Sequence, residues 1–217
     1  MNEQHKPVKA LSYDFLTPLY DFFLDIFGFG VKQRIKIVSL LDLKTGERLL
    51  DVGCGTGSFL IAAKNKYPNV GMIGIDVDEK VLRIAGNKIQ KNNLNIELIK
   101  SSADKLPFPD DSFDVAASTL VFHHLPTDIK IKALKEIHRV LKRNGRFLLV
   151  DFGKLNMPFK IFYYLEVLFR IPEAKTSKDN FEGKVPDYLR QANFEFREAS
   201  PRFRGVQYIL AKKTLVM

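Results

Sequence analysis

Leu49-Leu50-Asp51-Val52-Gly53-Cys54-Gly55-Thr56-Gly57-Ser58 is the stretch on which the fold turns. Its first half is a short apolar run ended by glycines, the pattern of a buried strand. Beyond Gly57 the pattern changes, and Ser58 to Lys66 reads as a helix in which Ala62 and Ala63 allow close packing. A glycine-rich turn between strand and helix has a physical use. It lets the backbone take unusual torsions and lets a ligand approach the main chain with no Cβ in the way. The helix N-terminus beyond it supplies partial positive charge and free N–H groups.

Spacing separates the ligands such a loop could hold. A dinucleotide fingerprint wants Gly-x-Gly-x-x-Gly, which would put a third glycine at position 58, where serine stands. A phosphate-binding P-loop also fails, because no Gly-Lys-Ser/Thr follows. The next apolar run ends Gly74-Ile75-Asp76, and an acid at that strand end is placed to accept two hydrogen bonds from ribose hydroxyls. Asp76 could instead cap the following helix, but Asp78 is better placed for that N-cap.

Working outward, strand and helix alternate. Met72 to Asp76 reads as a second strand, Glu79 to Lys91 as a helix and Ile96 to Ile99 as a third strand. A loop through Pro107 and Pro109 leads to a fourth strand, Phe113 to Ser118. Asp128 to Lys142 predicts a strong amphipathic helix ended by Asn144-Gly145, and Phe147 to Asp151 a fifth strand. Such alternation implies parallel pairing. Phe194 to Glu198 and Gln207 to Lys212 read as a closing hairpin. The expected architecture is one α/β domain over residues 1–217, a Rossmann-like, doubly wound, mostly parallel seven-stranded sheet with a C-terminal antiparallel hairpin. Within it, residues 1–46 form a helical cap, 47–152 the core, 153–193 an insert and 194–217 the terminal strands.

Composition agrees with a globular enzyme-sized domain: 217 residues, 46% hydrophobic and 27% charged. The single cysteine, Cys54, excludes an internal disulfide framework and a zinc cluster, so no metal is expected. Wedged between glycines, Cys54 reads as a small filler rather than a nucleophile. The N-terminus has no secretory pattern and no apolar stretch reaches a bilayer's width, which predicts a cytoplasmic protein without a transmembrane segment. The net charge of +9 allows attraction to phosphates or acidic lipids. Lys132, Lys135, Arg139 and Lys142 lie at helical spacing opposite Ala133, Leu134, Ile137, Val140 and Leu141, however, and read as a solvated helix face. No nucleic-acid module accompanies them, and no stable nucleic-acid partner is expected.

The Gly-x-Gly-x-Gly form of residues 53–57, preceded by Asp51, resembles motif I of class I S-adenosylmethionine-dependent methyltransferases. Ser118-Thr119-Leu120-Val121-Phe122-His123-His124-Leu125-Pro126 resembles a segment of the branch that includes ubiquinone and menaquinone biosynthesis methyltransferases. The likeness covers residues 47–151 and thins outside them to Tyr13-Asp14 and Tyr20-Asp21. It implies S-adenosylmethionine as donor and S-adenosylhomocysteine as product. Asp51, Gly53, Cys54, Gly55, Gly57, Asp76, Val77, Thr119 and Tyr20 would hold the donor. In Ser102-Ala103-Asp104-Lys105-Leu106-Pro107 the resemblance implies that Asp104 receives the adenine amino group and Ala103 offers its backbone.

Methyl transfer from a sulfonium is a displacement along one line, so alignment and desolvation are the main tasks. If a base is needed, His123 and His124 are the candidates, at the carboxyl edge of the fourth strand. Either could instead cap the next helix or pack over the donor. The aromatic insert from Phe159 to Phe169 and the cap residues Phe15, Tyr20, Phe22 and Phe23 suggest a small, apolar or aromatic acceptor, with the insert over its site. Both segments could equally be helices that merely cover the sheet, and a surface-lying helix in contact with a membrane is compatible with them. The rival readings are an RNA or protein methyltransferase, a module that binds the donor without turnover, and a nicotinamide oxidoreductase. The acceptor, the atom methylated and the oligomeric state are not legible in the sequence.

Overall fold

The computed structural model describes residues 30–155 and 173–214. The cap residues Tyr13, Phe15, Tyr20, Phe22 and Phe23 and the aromatic run Phe159 to Phe169 lie outside the described residues.

A first helix, α1 (Val31–Leu40), precedes strand β1 (Arg48–Val52), then come α2 (Ser58–Lys66), β2 (Gly71–Asp76), α3 (Glu79–Lys91), β3 (Glu97–Lys100) and β4 (Phe113–Thr119). A 3-10 turn at Phe122–His124 leads into α4 (Thr127–Val140) and β5 (Leu141–Phe152). Helices α5 (Glu173–Glu182) and α6 (Val185–Gln191) come before the hairpin β6 (Phe194–Phe203) and β7 (Val206–Lys213). The strands form one seven-stranded sheet in the order β3-β2-β1-β4-β5-β7-β6. β1 pairs in parallel with β2 and β4, β2 with β3, and β4 with β5, while β7 runs antiparallel to both β5 and β6. The expected doubly wound sheet with a terminal hairpin is what forms.

Period-two alternation divides the core between the two faces. Leu50, Val52, Phe147 and Leu149 join Leu134, Ile137 and Leu189 on one face. Leu49, Leu148 and Val150 join Val38, Leu60 and Ala63 on the other. Both faces are covered, which is why the parallel strands read as continuous apolar runs. From β1 the chain winds outward through β2 and β3 and then returns to the far side of β1 as β4. The strand order therefore reverses between β1 and β4, and the carboxyl ends of strands at such a reversal border the crevice in which open α/β sheets bind ligands. Ser118 Oγ bridges these two strands, donating to the Val52 carbonyl at 2.9 Å.

Among the boundaries that differ from the sequence expectation, which include a β5 that begins at Leu141 and a β6 that runs on to Phe203, the end of α4 has a clear physical cause. The helix stops at Val140 rather than Lys142, and Leu141 already pairs with Phe113. The next pair is Arg146 with Val115, so residues 142–145 bulge opposite Asp114. Asn144 does take a positive φ of 65°, but in that bulge and not as a helix stop. Asp114 holds the bulge by accepting from Lys142 Nζ at 2.8 and 2.9 Å. Periodicity could not see this, because the strand pairing that ends the helix involves a partner 28 residues away in the chain.

Candidate functional site

The glycine loop sits at the mouth of that crevice. Gly53 and Cys54 donate their amide N–H groups to the Ile75 carbonyl at 2.9 and 2.8 Å, which continues the β1–β2 ladder into the loop. Gly53 has φ +76°, and a Cβ there would lie 2.4 Å from Val121 Cγ2. Gly55, at φ +51°, is the opposite case, since a Cβ there would meet nothing within 4 Å. The backbone at Gly55 thus borders open space, as a loop that receives a ligand on its main chain must. Gly57 is the N-cap of α2, and its Cβ position lies 3.0 Å from Ala85 of α3.

Beneath the loop lies Asp51, with no exposed surface and neither carboxylate oxygen hydrogen-bonded. Burial, and then the nearby charge of Asp76, push its pKa up to about 8. An unpartnered buried carboxyl costs stability unless a ligand answers it. Cys54 is buried, and a Cβ on Gly74 would stand 2.9 Å from its Sγ. Burial first, then the Asp51 and Asp76 charges, push its thiol pKa up, so it is a filler with no thiolate to offer.

Asp76 ends β2 with its two oxygens pointing two ways. Oδ2 accepts the Gly55 N–H at 2.9 Å and Oδ1 accepts the Asp78 N–H at 2.9 Å. Burial raises its pKa against the pull of those amide donors. The capping role goes to Asp78, which accepts from Lys80 N at 2.8 Å at the start of α3. Asp76 is therefore spared for the crevice, with the half-exposed Val77 beside it.

Loop 101–112 forms the next wall. Ala103 is buried, and Ser102 Oγ donates to Asp104 Oδ1. The loop is pinned from α4: Arg139 donates to the Phe108 and Leu106 carbonyls at 2.8 and 3.1 Å, and Leu106 N–H donates to Glu136 Oε2 at 2.8 Å. Arg139 also pairs with Glu136 and Asp110, each at 2.8 Å. The basic face expected to be merely solvated thus holds, through this arginine, the loop carrying Ala103 and Asp104.

Across the crevice β4 ends at Thr119, and Leu120 follows with a positive φ of 57°, an uncommon conformation for a bulky residue. The 3-10 turn then presents the two histidines, whose ring centroids are 3.9 Å apart. Their surroundings differ. His123 Nδ1 lies 2.8 Å from Oδ1 of Asp151, and 11% of its side chain is exposed. His124 Nδ1 is buried without a partner, and burial followed by the His123 charge pushes its pKa down to about 3. Asp151, at the end of β5, has no exposed surface. Burial opposes its ionisation, but the His123 charge and the hydrogen bonds from His123 and the Phe152 amide hold its pKa below the usual carboxylate range.

Reasoning from sequence missed three buried polar residues here. Asp151 was read as a strand terminus, although an acid at the carboxyl end of a parallel strand, like Asp76, is a signal that could have flagged it. Asn180 of α5 is fully buried and donates to Asp151 Oδ1 at 3.3 Å and to the Phe152 carbonyl at 3.2 Å. Lys130 of α4 is fully buried and donates to the Thr176 carbonyl at 2.6 Å, which ties α4 to α5. Nothing local marks either residue. Of the residues expected to form the site, Asp51, Gly53, Cys54, Gly55, Gly57, Asp76 and Val77 come together around the loop. Ala103 with Asp104 and Thr119 with the histidines follow the ends of β3 and β4, and Tyr20 lies outside the described residues.

Comparison with known proteins agrees with this arrangement. Residues 49–145 match the model of a family described as a methyltransferase domain. The chain is 31% identical over 222 residues to the ubiquinone/menaquinone biosynthesis C-methyltransferase UbiE of Rickettsia bellii, covering 95% of this chain and 88% of that one. It is 31% identical over 150 residues to the demethylmenaquinone methyltransferase of Listeria welshimeri, a match covering 67% of this chain and 63% of the relative. The chain thus spans less than two thirds of the Listeria protein's length. In structure it resembles an S-adenosylmethionine-dependent methyltransferase of Aquifex aeolicus, with a TM-score of 0.66, 25% identity and coverage of 83% of this chain and 89% of that one. The chain belongs to the class I S-adenosylmethionine-dependent methyltransferases. Within them it falls in the branch that includes the ubiquinone/menaquinone biosynthesis enzymes.

Proposed function

We propose that this chain transfers a methyl group from S-adenosylmethionine to a small, apolar or aromatic acceptor by direct in-line displacement. The observation that carries the reading is the pairing of open backbone at Gly55 with the unpartnered, buried Asp51 carboxyl beneath it. The donor suits that pair, because it brings an ammonium and a sulfonium to a place where the Asp51 carboxyl has no hydrogen-bond partner among the described residues. S-adenosylmethionine supplies an already activated methyl group, attacked along the carbon–sulfur line.

The chain's own residues align and dry the site. Asp76 offers its remaining lone pairs to the ribose hydroxyls, with Val77 beside the base. In this reading Ala103 and Asp104 serve the adenine edge and Gly53, Cys54, Gly57 and Thr119 complete the donor's contacts, with Tyr20, outside the described residues, assigned to the donor as well. The insert of residues 153–193 is assigned to the acceptor side, although residues 156–172 of it lie outside the described residues. The names of the Rickettsia and Listeria relatives point to a quinone-like ring as the acceptor class. No described helix is long and apolar enough to cross a membrane, and peripheral contact with a lipid-borne acceptor is part of the proposal. A cytoplasmic location, and the absence of a stable nucleic-acid partner, belong to the same reading.

Thermal unfolding with S-adenosylhomocysteine, S-adenosylmethionine and NAD, each alone, tests the donor site. A ligand at a hundred times its dissociation constant adds about 2.7 kcal/mol, a clear shift. The two sulfur ligands are expected to raise the Tm of the wild type and to lose most of that effect in Asp76→Ala. A shift with NAD alone, or none in a folded sample, would overturn the proposal.

A further inference from the structure

We propose that α1 docks on an anionic lipid bilayer, with Val31 and Ile35 entering the headgroup layer and Lys32, Lys36, Lys64 and Lys66 facing its charges. This gives the peripheral contact proposed above a surface. It rests on the methyl-transfer reading only for what the docked protein would reach there.

Among the described residues, Val31 and Ile35 are the two exposed large hydrophobic side chains, at 62% and 52%. Single exposures scattered over a surface are ordinary, but these two fall together. They stand four positions apart on one helix, hence on one face, and the exposed Ser39 continues the line. The core side of α1 is already filled, since Ile37 and Val38 are buried against the sheet.

Charge names the occupant. Together α1 and α2 carry Lys32, Arg34, Lys36, Lys64 and Lys66, and neither helix holds an acid. Lys32 and Lys36 stand one turn apart beside the apolar stripe. Lys66 reaches its far end, donating to Ser39 Oγ at 2.7 Å. Lys64 donates to the Val70 carbonyl at 2.7 Å, and Lys36 lies 4.8 Å over the Tyr208 ring. These partners are neutral and cancel no charge. An apolar stripe edged with lysines suits a membrane interface, where each lysine near an anionic surface adds to binding. A second copy of the chain would bring two basic faces together. A nucleic acid would gain nothing from valine and isoleucine, which offer its bases no ring to stack on.

Orientation follows from how α1 sits on α2. Val31 and Arg34 share a groove with Ser58 and Ile61 at the start of α2, while Ser39 meets Lys66 at the far end. The two helices therefore run the same way. Gly57, the last glycine of the donor loop, is the N-cap of α2. Val31 is thus the end of the stripe nearest that loop, and docking brings the carboxyl edge of the sheet to the bilayer. An acceptor dissolved in lipid would then enter from the membrane side.

The chain has no tryptophan, so Ile35→Trp in the full chain places a single fluorescent reporter in the stripe. The probes are vesicles of phosphatidylcholine alone and of equal parts phosphatidylcholine and phosphatidylglycerol. Anionic vesicles are expected to shift the emission to the blue, and lipids brominated high in the acyl chain to quench it. In co-sedimentation, Val31→Ser with Ile35→Ser leaves the charge unchanged and should lose at least about tenfold in partitioning. Lys32→Gln should lose about fivefold. Lys135→Gln, exposed on α4 across the sheet, should lose much less than Lys32→Gln. A wild type that ignores anionic vesicles would overturn the proposal, and so would a serine variant that binds as well as the wild type or a reporter that vesicles leave unmoved. A reporter already blue and shielded from iodide in dilute protein would give the stripe to residues 1–29 of the chain, and shielding that grows with protein concentration would give it to a second copy. RNA that shields the reporter where vesicles do not would give it to nucleic acid. Each of these three also overturns the proposal. The thermal shift with S-adenosylhomocysteine keeps the two readings apart. An intact shift without vesicle binding strikes the docking alone, and vesicle binding without a shift strikes the donor site alone.

Discussion

Gly55 donates its amide N–H to Oδ2 of Asp76 at 2.9 Å, so the acid that ends β2 also sets the shape of the loop that ends β1. Loop shape and donor binding are therefore coupled through one carboxylate.

That coupling separates two glycines that look equivalent in sequence. Gly53→Ala meets a positive φ and Val121 at 2.4 Å, and is expected to cost about 2–3 kcal/mol of stability and to disturb β4. Gly55→Ala meets a positive φ but open space, so about 1 kcal/mol of strain is expected. Its added methyl group enters the space proposed for the donor, and donor affinity should fall by a larger factor than stability does. Urea unfolding beside calorimetric titration with S-adenosylhomocysteine compares the two. Equal effects on both quantities in both variants would refute the distinction.

Asp51 makes the donor-free protein sensitive to pH. Its pKa is raised from about 4 in the unfolded chain to about 8 in the fold. Below about pH 4 the group is protonated in both states and has no effect. As pH rises from about 4 to about 8 the unfolded chain gives up this proton while the folded one keeps it. Stability therefore falls through that window by up to about 1.4 kcal/mol per pH unit from this group, and levels off above it. Asp51→Asn should flatten the fall, raise the Tm of donor-free protein at pH 7.5 and weaken donor binding. Melts from pH 4 to 9 with and without S-adenosylhomocysteine check all three, and a Tm lowered by the substitution at pH 7.5 would count against it.

Arg146 ties the segment before β1 to β5. It donates to both oxygens of Glu47 at 2.8 Å and to the Leu41 carbonyl at 2.8 Å, and its hydrogen bond is the leading cause that lowers the Glu47 pKa. Arg146→Ala is expected to cost about 2 kcal/mol, below the cost of breaking a fully buried pair because both side chains reach solvent. The loss should appear in urea unfolding, while S-adenosylhomocysteine affinity at low temperature stays unchanged. A large loss of affinity in a folded variant would place Arg146 in the donor site instead.

The alternation of strands and helices, the glycine loop and the acid of Asp76 were legible in the sequence because each is a local signal. A buried parallel strand is a short apolar run, a helix repeats on its own period, and a loop that needs positive φ asks for glycine. The class of donor followed from the resemblance of this local motif to that of class I S-adenosylmethionine-dependent methyltransferases, while its spacing excluded the dinucleotide and P-loop alternatives. Tertiary structure alone decided which distant groups meet. It brought Asp151 to His123 and Asn180 to Asp151, buried Lys130 against Thr176, set Arg139 on the Leu106–Phe108 loop and ended α4 two residues early by pairing Leu141 with Phe113. Those partners stand many residues apart. Hydrophobic periodicity reports which face of an element is buried but not which polar side chain of another element is waiting there, and only the packed sheet with its helices in place fixes that.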